Sequence, residues 1–151
     1  MYKVLLVDDE ALIREAISEN TRWKELGYEL MGTCKNGREA IERLDQEEAD
    51  LVLTDICMPY VDGMELTRYL YEKHKGVKVI IISGYDDFEY AKTAVKYQVM
   101  DYILKPITAK ELAQTLTRVK EKLDEERFQR SDMKRIRGAY MSNLPILRGR
   151  S

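Results

Sequence analysis

The chain of 151 residues is long enough for one domain of ordinary size and an appendage, and its 44% hydrophobic and 34% charged residues are typical of a globular protein. Its net charge of −2 divides unevenly: residues 1–119 carry 16 Lys and Arg against 22 Asp and Glu, whereas residues 120–151 carry 9 against 5. Because phosphate backbones select basic surfaces, the acidic body argues against nucleic-acid binding by the main domain.

The cysteines and the apolar runs narrow the class of protein further. Cys34 and Cys57 are too few for a disulfide framework and lack metal-ligand spacing, so we expect both to be small buried hydrophobic residues. No signal peptide precedes the first apolar run, and no run is long enough to span a bilayer. The sequence therefore predicts a cytoplasmic protein with no membrane partner.

Short apolar runs alternate with stretches of helical period over the first 127 residues. In chain order, each predicted strand is followed by a predicted helix. The strands are predicted at 4–7, 28–34, 51–54, 77–82 and 102–104, and the helices at 11–20, 38–47, 63–74, 86–96 and from 108 onward. The apolar face of the first helix comprises Leu12, Ile13, Ala16 and Ile17. Five such units predict an α/β fold, a doubly wound five-stranded parallel sheet with the flavodoxin-like strand order 2-1-3-4-5.

The last predicted helix continues past the end of the domain. Its apolar seam comprises Leu112, Leu116, Val119 and Leu123. Glu126 and Arg130 fall at the next seam positions, so a long coiled coil is not predicted. We therefore expect a domain over residues 1–123 and a linker or helical extension over 124–151, leading toward a C-terminal output domain that this chain lacks.

Polar side chains follow four of the predicted strands at the point where each strand ends. They are Asp8 and Asp9, Asp55, Ser83, and Lys105 with Pro106. The carboxyl ends of parallel strands meet at one edge of a sheet, and strand 1 lies beside strand 3 in the predicted order. We therefore expect these side chains to form one site.

Clustered carboxylates in a partly buried site cannot all stay ionised without a cation, and oxygen ligands favour a hard ion such as Mg²⁺. That arrangement suits phosphoryl transfer to a carboxylate nucleophile, for which Asp55 on the central strand is the candidate. Lys105 would neutralise the transferred group, and Ser83 would donate a hydrogen bond to one of its oxygens.

Each of these residues also has a purely structural interpretation. Asp8, Asp9 and Glu10 could cap the first helix, and Asp55 could begin a turn before Pro59. In isolation a serine–glycine turn or a lysine before proline is ordinary. The functional interpretation rests on their joint occurrence at four separate strand ends.

The motifs resemble the receiver domain of bacterial two-component response regulators over about residues 2–123. They are Val7-Asp8-Asp9-Glu10, Asp55-Ile56-Cys57-Met58-Pro59 with Asp62-Gly63, Ser83-Gly84, and Lys105-Pro106. The resemblance implies a CheY-like fold in which Asp55 accepts phosphate from a sensor histidine kinase. It also implies Mg²⁺ (or Mn²⁺) held by Asp9, Asp55 and the Cys57 backbone carbonyl, with Asp8 acting through a water.

By the same resemblance, Lys105 pairs with Asp55 at rest, and the Lys105–Pro106 bond is cis. Ser83 and Tyr102 would form a switch that reshapes the face of the fourth helix, fifth strand and fifth helix, where a homodimer could form. Such a domain assists its own phosphorylation and dephosphorylation but is not a conventional enzyme. From spacing alone, Tyr102 is a half-buried aromatic residue of an edge strand.

A narrower resemblance is to transcriptional regulators of the YesN kind, carried by residues 83–91 and 101–107. Those regulators have an AraC-type helix-turn-helix output domain, so we expect DNA binding only through that missing domain.

Three other functions compete with this interpretation. A haloacid-dehalogenase-like phosphatase would need an Asp-x-Asp motif and a cap domain, whereas the first strand ends Asp8-Asp9-Glu10. A flavodoxin-like flavin carrier would need a phosphate-binding loop where this acidic triplet lies. The third possibility is a degenerate receiver that acts only as an interaction module. The complete set of site residues argues against it, and a phosphorylation assay distinguishes it from an active receiver.

Overall fold

A computed structural model describes residues 1–84, 92 and 95–147, with side chains up to residue 138. Five strands and five helices have both of their ends within these residues. The strands are β1 (Tyr2–Val7), β2 (Tyr28–Cys34), β3 (Leu51–Asp55), β4 (Lys78–Ser83) and β5 (Asp101–Leu104). The helices are α1 (Ala11–Asn20), α2 (Trp23–Leu26), α3 (Gly37–Gln46), α4 (Gly63–Lys73) and α5 (Ala109–Leu147).

The strands form one parallel sheet in the order β2-β1-β3-β4-β5, which confirms the predicted fold class. The register aligns the carboxyl ends: Val7 lies opposite Thr54, and Asp55 lies opposite Ile82. Ser83 in turn lies opposite Leu104. The residues that follow these ends are therefore brought to one edge, as the sequence predicted.

The sheet is buried because its central strands are apolar on both faces. Every residue of β3 is buried, and so is β4 from Val79 onward. On β2, Tyr28 is fully buried and its hydroxyl donates a 2.7 Å hydrogen bond to the carbonyl oxygen of Leu116 in α5. Buried hydroxyl groups need such partners, so this contact fixes the first part of α5 on the sheet.

Most predicted boundaries agree with the structure within one or two residues, but one element was missed. The short helix α2 follows α1, and Gly27 ends it with a left-handed φ of 91°. Glycine adopts this conformation without steric cost, which makes it the usual residue beyond a helix end. The helix predicted over 86–96 falls largely on residues 85–91 and 93–94, which lie outside the described part of the chain.

The prediction for the buried face of α1 was partly wrong. Ile17 is buried, but Leu12 is 80% exposed and Ala16 is exposed as well. At 100° per residue the four apolar side chains span about 140° of the helix, which is more than the sheet covers. An apolar groove of about 650 Å³ therefore opens between α1 and the segment from Lys105 to Leu112.

Two compact units make up the chain, Met1–Leu116 and Thr117–Ser151. The second is helical over residues 117–147, and Phe128, Met133 and Ile136 on it are exposed. The helix continues through Gly138, because one glycine costs only about 1 kcal/mol within a helix. The predicted boundary after residue 123 stays a prediction. No described helix combines the length and the apolar character that a membrane span requires.

Gly63 allows α4 to approach the end of β3. Its N–H donates a 2.7 Å hydrogen bond to the carbonyl oxygen of Ile56. A Cβ added here would lie 2.8 Å from the Ile56 Cα and closer still to the Asp55 carbonyl oxygen. Because these neighbours are backbone atoms, they cannot move aside as a flexible side chain could.

We expect Gly63→Ala to lower the free energy of unfolding by roughly 2–3 kcal/mol, the upper range for overpacking a tight site. Urea denaturation measures the change. Gly76→Ala is the matched control, because nothing lies within 4 Å of a Cβ added there. Equal stabilities for the two variants would contradict the conclusion that the backbone of β3 leaves no room for a Cβ at Gly63.

Candidate functional site

The carboxyl edge of the sheet brings together four of the predicted site residues. The Lys105 ammonium lies 3.3 Å from an Asp8 carboxylate oxygen and 3.4 Å from an Asp55 carboxylate oxygen. Asp8 and Asp55 are buried, with side chains only 2% and 8% exposed. Ser83 is buried at the end of β4. The Lys105 ammonium thus bridges two carboxylates that come from neighbouring strands.

Local hydrogen bonds fix the orientation of the two carboxylates. Asp55 Oδ1 accepts a 2.9 Å hydrogen bond from the Ile56 N–H at the end of β3. Asp8 Oδ1 accepts one of 2.9 Å from the Glu10 N–H, which leaves Oδ2 for Lys105. These bonds hold the carboxylates toward the same point at the edge of the sheet.

Lys105 follows β5 directly, and its backbone is tied to the end of β4. Its N–H donates a 2.7 Å hydrogen bond to the Ser83 carbonyl oxygen, and the Lys105–Pro106 peptide bond is cis. The side chain is 19% exposed. The ammonium therefore faces the site, with one side accessible from solvent.

Burial and charge shift the pKa values of this pair. Burial, and then the neighbouring Asp8 carboxylate, raise the pKa of Asp55 from 3.8 to about 6, although Lys105 opposes the shift. Burial alone would lower the pKa of Lys105, but attraction to Asp55 and Asp8 outweighs it and raises the pKa. The single positive charge of Lys105 therefore does not neutralise the negative charges of both carboxylates.

An acidic cluster at the end of β1 could hold a metal ion. One carboxylate oxygen from each of Asp8, Asp9 and Glu10 lies within 4.8 Å of the others. Asp8 is buried, whereas Asp9 and Glu10 are exposed. An all-oxygen set of this kind is suited to a hard divalent cation.

The cysteines differ from each other in burial. Cys34 is buried, as predicted, and burial raises the pKa of its thiol to about 11. Cys57 is exposed, so the prediction for it was wrong. Cys57 follows β3 in the loop at the carboxyl edge, where the sheet and its helices no longer cover the chain.

The two residues of the predicted switch lie on neighbouring strands. Ser83 ends β4, and Tyr102 on β5 is partly buried against the main hydrophobic core. The change of position that would make them a switch stays a prediction.

Sequence reasoning missed one contact of the site. From the sequence, Glu10 was given no role in the site beyond a helix cap and a place in the motif, and although it is the N-cap residue of α1 it makes no side-chain capping bond. Its carboxylate instead lies 3.8 Å from the Lys105 ammonium. The available signal was its place in the same acidic triplet, directly after a strand end.

Asp55→Asn is expected to stabilise the protein at pH 7 when no divalent cation is present. The pKa of Asp55 in the folded state is about 6 against an ordinary 3.8, so between these values the folded protein binds more protons than the unfolded chain. Stability therefore falls as pH rises through this window, by on the order of 1–3 kcal/mol. Urea denaturation in EDTA should show the gain at pH 7 and little difference near pH 4.

Asp45→Asn is the matched control for this experiment. Hydrogen bonds from His74 and Tyr69 lower the pKa of Asp45, so its charge stabilises the folded state above the ordinary pKa and that stability is lost as pH falls. The control should lose stability at pH 7. If Asp55→Asn lost stability at pH 7 as Asp45→Asn does, the conclusion that the charge on Asp55 destabilises the folded state would be contradicted.

Comparisons with known proteins agree on one family. The sequence model of the response regulator receiver domain family matches residues 4–117. Transcriptional regulatory protein YesN of Bacillus subtilis is 39% identical over 119 residues, which cover 79% of this chain and 32% of YesN. Transcriptional regulatory protein HptR of Staphylococcus aureus is 38% identical over 129 residues, covering 85% of this chain and 50% of HptR.

A solved structure is similar over the same region. The receiver domain of AraT, a response regulator from Geobacillus stearothermophilus, superposes with a TM-score of 0.78 at 41% identity. The match covers 83% of this chain and 98% of that one. Because the receiver model matches more than half of the sequence, the chain belongs to the response regulator receiver domain family.

Proposed function

We propose that the chain is the receiver of a transcriptional response regulator, and that a sensor histidine kinase phosphorylates it on Asp55. The observation that carries the proposal is the position of Lys105, within 3.4 Å of both Asp8 and Asp55 at the carboxyl edge of the sheet. Two buried carboxylates held against one ammonium form a site that gains from additional positive charge. Family membership favours this function over a phosphatase or a flavin carrier.

Asp55 is the proposed nucleophile because one of its oxygens is held by the Ile56 N–H, which orients the carboxylate at the end of the strand. Lys105 would stabilise the negative charge of the incoming phosphoryl group, which it can reach from its place beside Asp55. Ser83, which ends the neighbouring strand β4, would donate a hydrogen bond from its hydroxyl to a phosphoryl oxygen.

The carboxylates of Asp8 and Asp9 at the end of β1 offer oxygen ligands of the kind that Mg²⁺, or Mn²⁺ in its place, prefers. We propose that Asp9, Asp55 and the Cys57 carbonyl hold the ion and that Asp8 acts through a water. When bound, the ion offsets the repulsion between the carboxylates and the phosphoryl group. The Asp8 and Asp9 side chains are adjacent at the end of β1, which supports a shared role.

The proposed output is transcription control through a domain of the AraC type beyond this chain. The chain spans 32% of YesN and 50% of HptR, both named as transcriptional regulatory proteins. We propose that residues 1–123 form the receiver, that 124–151 lead to the output domain, and that Ser83 and Tyr102 transmit phosphorylation. Dimerisation through β5 and the flanking helices stays a prediction, since most of residues 86–96 lie outside the described part of the chain.

Incubation with acetyl phosphate and Mg²⁺ should add one base-labile phosphoryl group to the protein, measured by intact mass. Asp55→Asn should abolish the addition because the nucleophile is lost, and Asp9→Ala or EDTA should reduce it at least tenfold by removing the ion. Asp45→Asn is the control, since Asp45 lies near the C-terminal end of α3, away from the carboxyl edge. Undiminished phosphorylation of Asp55→Asn would contradict the assignment.

We expect the kinase to bind to the groove beside Lys105 together with the exposed side chain of Leu12 on the adjoining helix α1. Leu12 is exposed on α1, and Ile13 and Ile107 line the groove next to the site. A protein that presents a phosphohistidine to Asp55 must cover this edge, and exposed apolar side chains there favour its binding. Leu12→Gln should slow transfer from a phosphorylated sensor histidine kinase by about tenfold, as loss of one central apolar contact does.

The same variant should react with acetyl phosphate at the wild-type rate, because Asp55 and Lys105 are held by hydrogen bonds and ion pairs with other residues. Val95→Gln is the control: Val95 is also 80% exposed, but it belongs to the segment that precedes β5. Slower reaction of Leu12→Gln with both donors would show damage to the site instead of to a docking surface.

A further inference from the structure

We propose that Glu10 is a positioning residue that holds the Lys105 ammonium and slows phosphoryl transfer from anionic donors. The inference rests on the proposed function and adds a third carboxylate to the resting site. Asp8, Asp55 and Glu10 lie 3.3, 3.4 and 3.8 Å from the Lys105 ammonium. The first two are buried, whereas the Glu10 side chain is 62% exposed. Glu10 therefore lies at the solvent end of this charge cluster.

The backbone of Glu10 is fixed although its side chain is exposed. Its N–H donates to Asp8 Oδ1 at 2.9 Å, and its carbonyl oxygen accepts from the Arg14 N–H at 3.0 Å. The side chain is not used to cap α1. The turn that orients Asp8 thus fixes the backbone from which the Glu10 carboxylate reaches to 3.8 Å from the Lys105 ammonium.

Two electrostatic effects follow from this position. A phosphodonor that approaches Asp55 from solvent meets the negative charge of Glu10 before it reaches Lys105. The carboxylate also competes with the phosphoryl group for the ammonium. Both effects oppose the modification, so Glu10 restrains the unphosphorylated state from reacting with small anionic donors.

The affected step is transfer from acetyl phosphate. An Asp55 carboxylate oxygen forms a bond to phosphorus, and the bond from phosphorus to the bridging oxygen breaks. Its electron pair leaves with acetate, so charge and atoms balance without another reactant. Negative charge at the entrance raises the barrier for the dianionic donor more than for a donor of lower charge.

The test compares wild-type protein, Glu10→Gln and Glu15→Gln at saturating Mg²⁺ with acetyl phosphate and with phosphoramidate, which carries less negative charge. Glu10→Gln should react with acetyl phosphate faster by between about 1.5-fold and 5-fold, the size typical of one exposed charge pair. The gain should be smaller with phosphoramidate and should shrink at about 1 M salt, where charges are screened beyond roughly 3 Å. Glu15→Gln makes the same charge change at an exposed position of α1 and should react like the wild type.

An unchanged acetyl phosphate rate in Glu10→Gln would overturn the inference. A gain of equal size with both donors, insensitive to salt, would also overturn it, since that pattern indicates a local structural change. A failure of the proposed function is distinguishable, because the wild-type protein itself would then gain no phosphoryl group on Asp55.

Discussion

The contact of the Lys105 ammonium with Asp8 and Asp55 is the interaction on which the rest of the site depends. Two carboxylates on adjacent buried strands repel each other, and burial makes that repulsion stronger than it would be in water. Lys105 reduces this cost but does not remove it, as the raised pKa of Asp55 shows. The resting site is therefore short of positive charge, which is a favourable starting point for binding a cation and an anionic group together.

The parallel sheet brings these groups together. Asp8 follows β1, Asp55 ends β3 and Lys105 follows β5, so the charges come from three strands that are separated along the chain. The strand order places β3 between β1 and β4, and the hydrogen bond from the Lys105 N–H to the Ser83 carbonyl ties β5 to β4. Any change in the register of β3 would move Asp55 away from both partners.

The sequence predicted the sheet, its order and the residues at its edge because these depend on strong, repeated signals. Buried parallel strands are apolar on both faces, so polar residues at their ends are conspicuous, as Asp55 after 51–54 illustrates. The helix Trp23–Leu26 was missed because four residues are too few to show a helical period.

Exposure and side-chain contacts were harder to predict. Leu12 and Cys57 are apolar or weakly polar residues that the tertiary structure leaves exposed, which periodicity and composition do not reveal. The contact between Glu10 and Lys105 joins residues 95 positions apart, and it depends on which way an exposed side chain turns. Such details follow from packing in three dimensions and carry no local signal.

The close approach of Gly63 to the end of β3 has a consequence for how the domain can vary. The contact is made by backbone atoms alone, with the Gly63 N–H on the Ile56 carbonyl. Side chains on the outer surface of α4, such as Arg68 and Glu72, take no part in it. That surface is therefore free to change, and to acquire new specificities, without displacing the aspartate that lies one residue before Ile56.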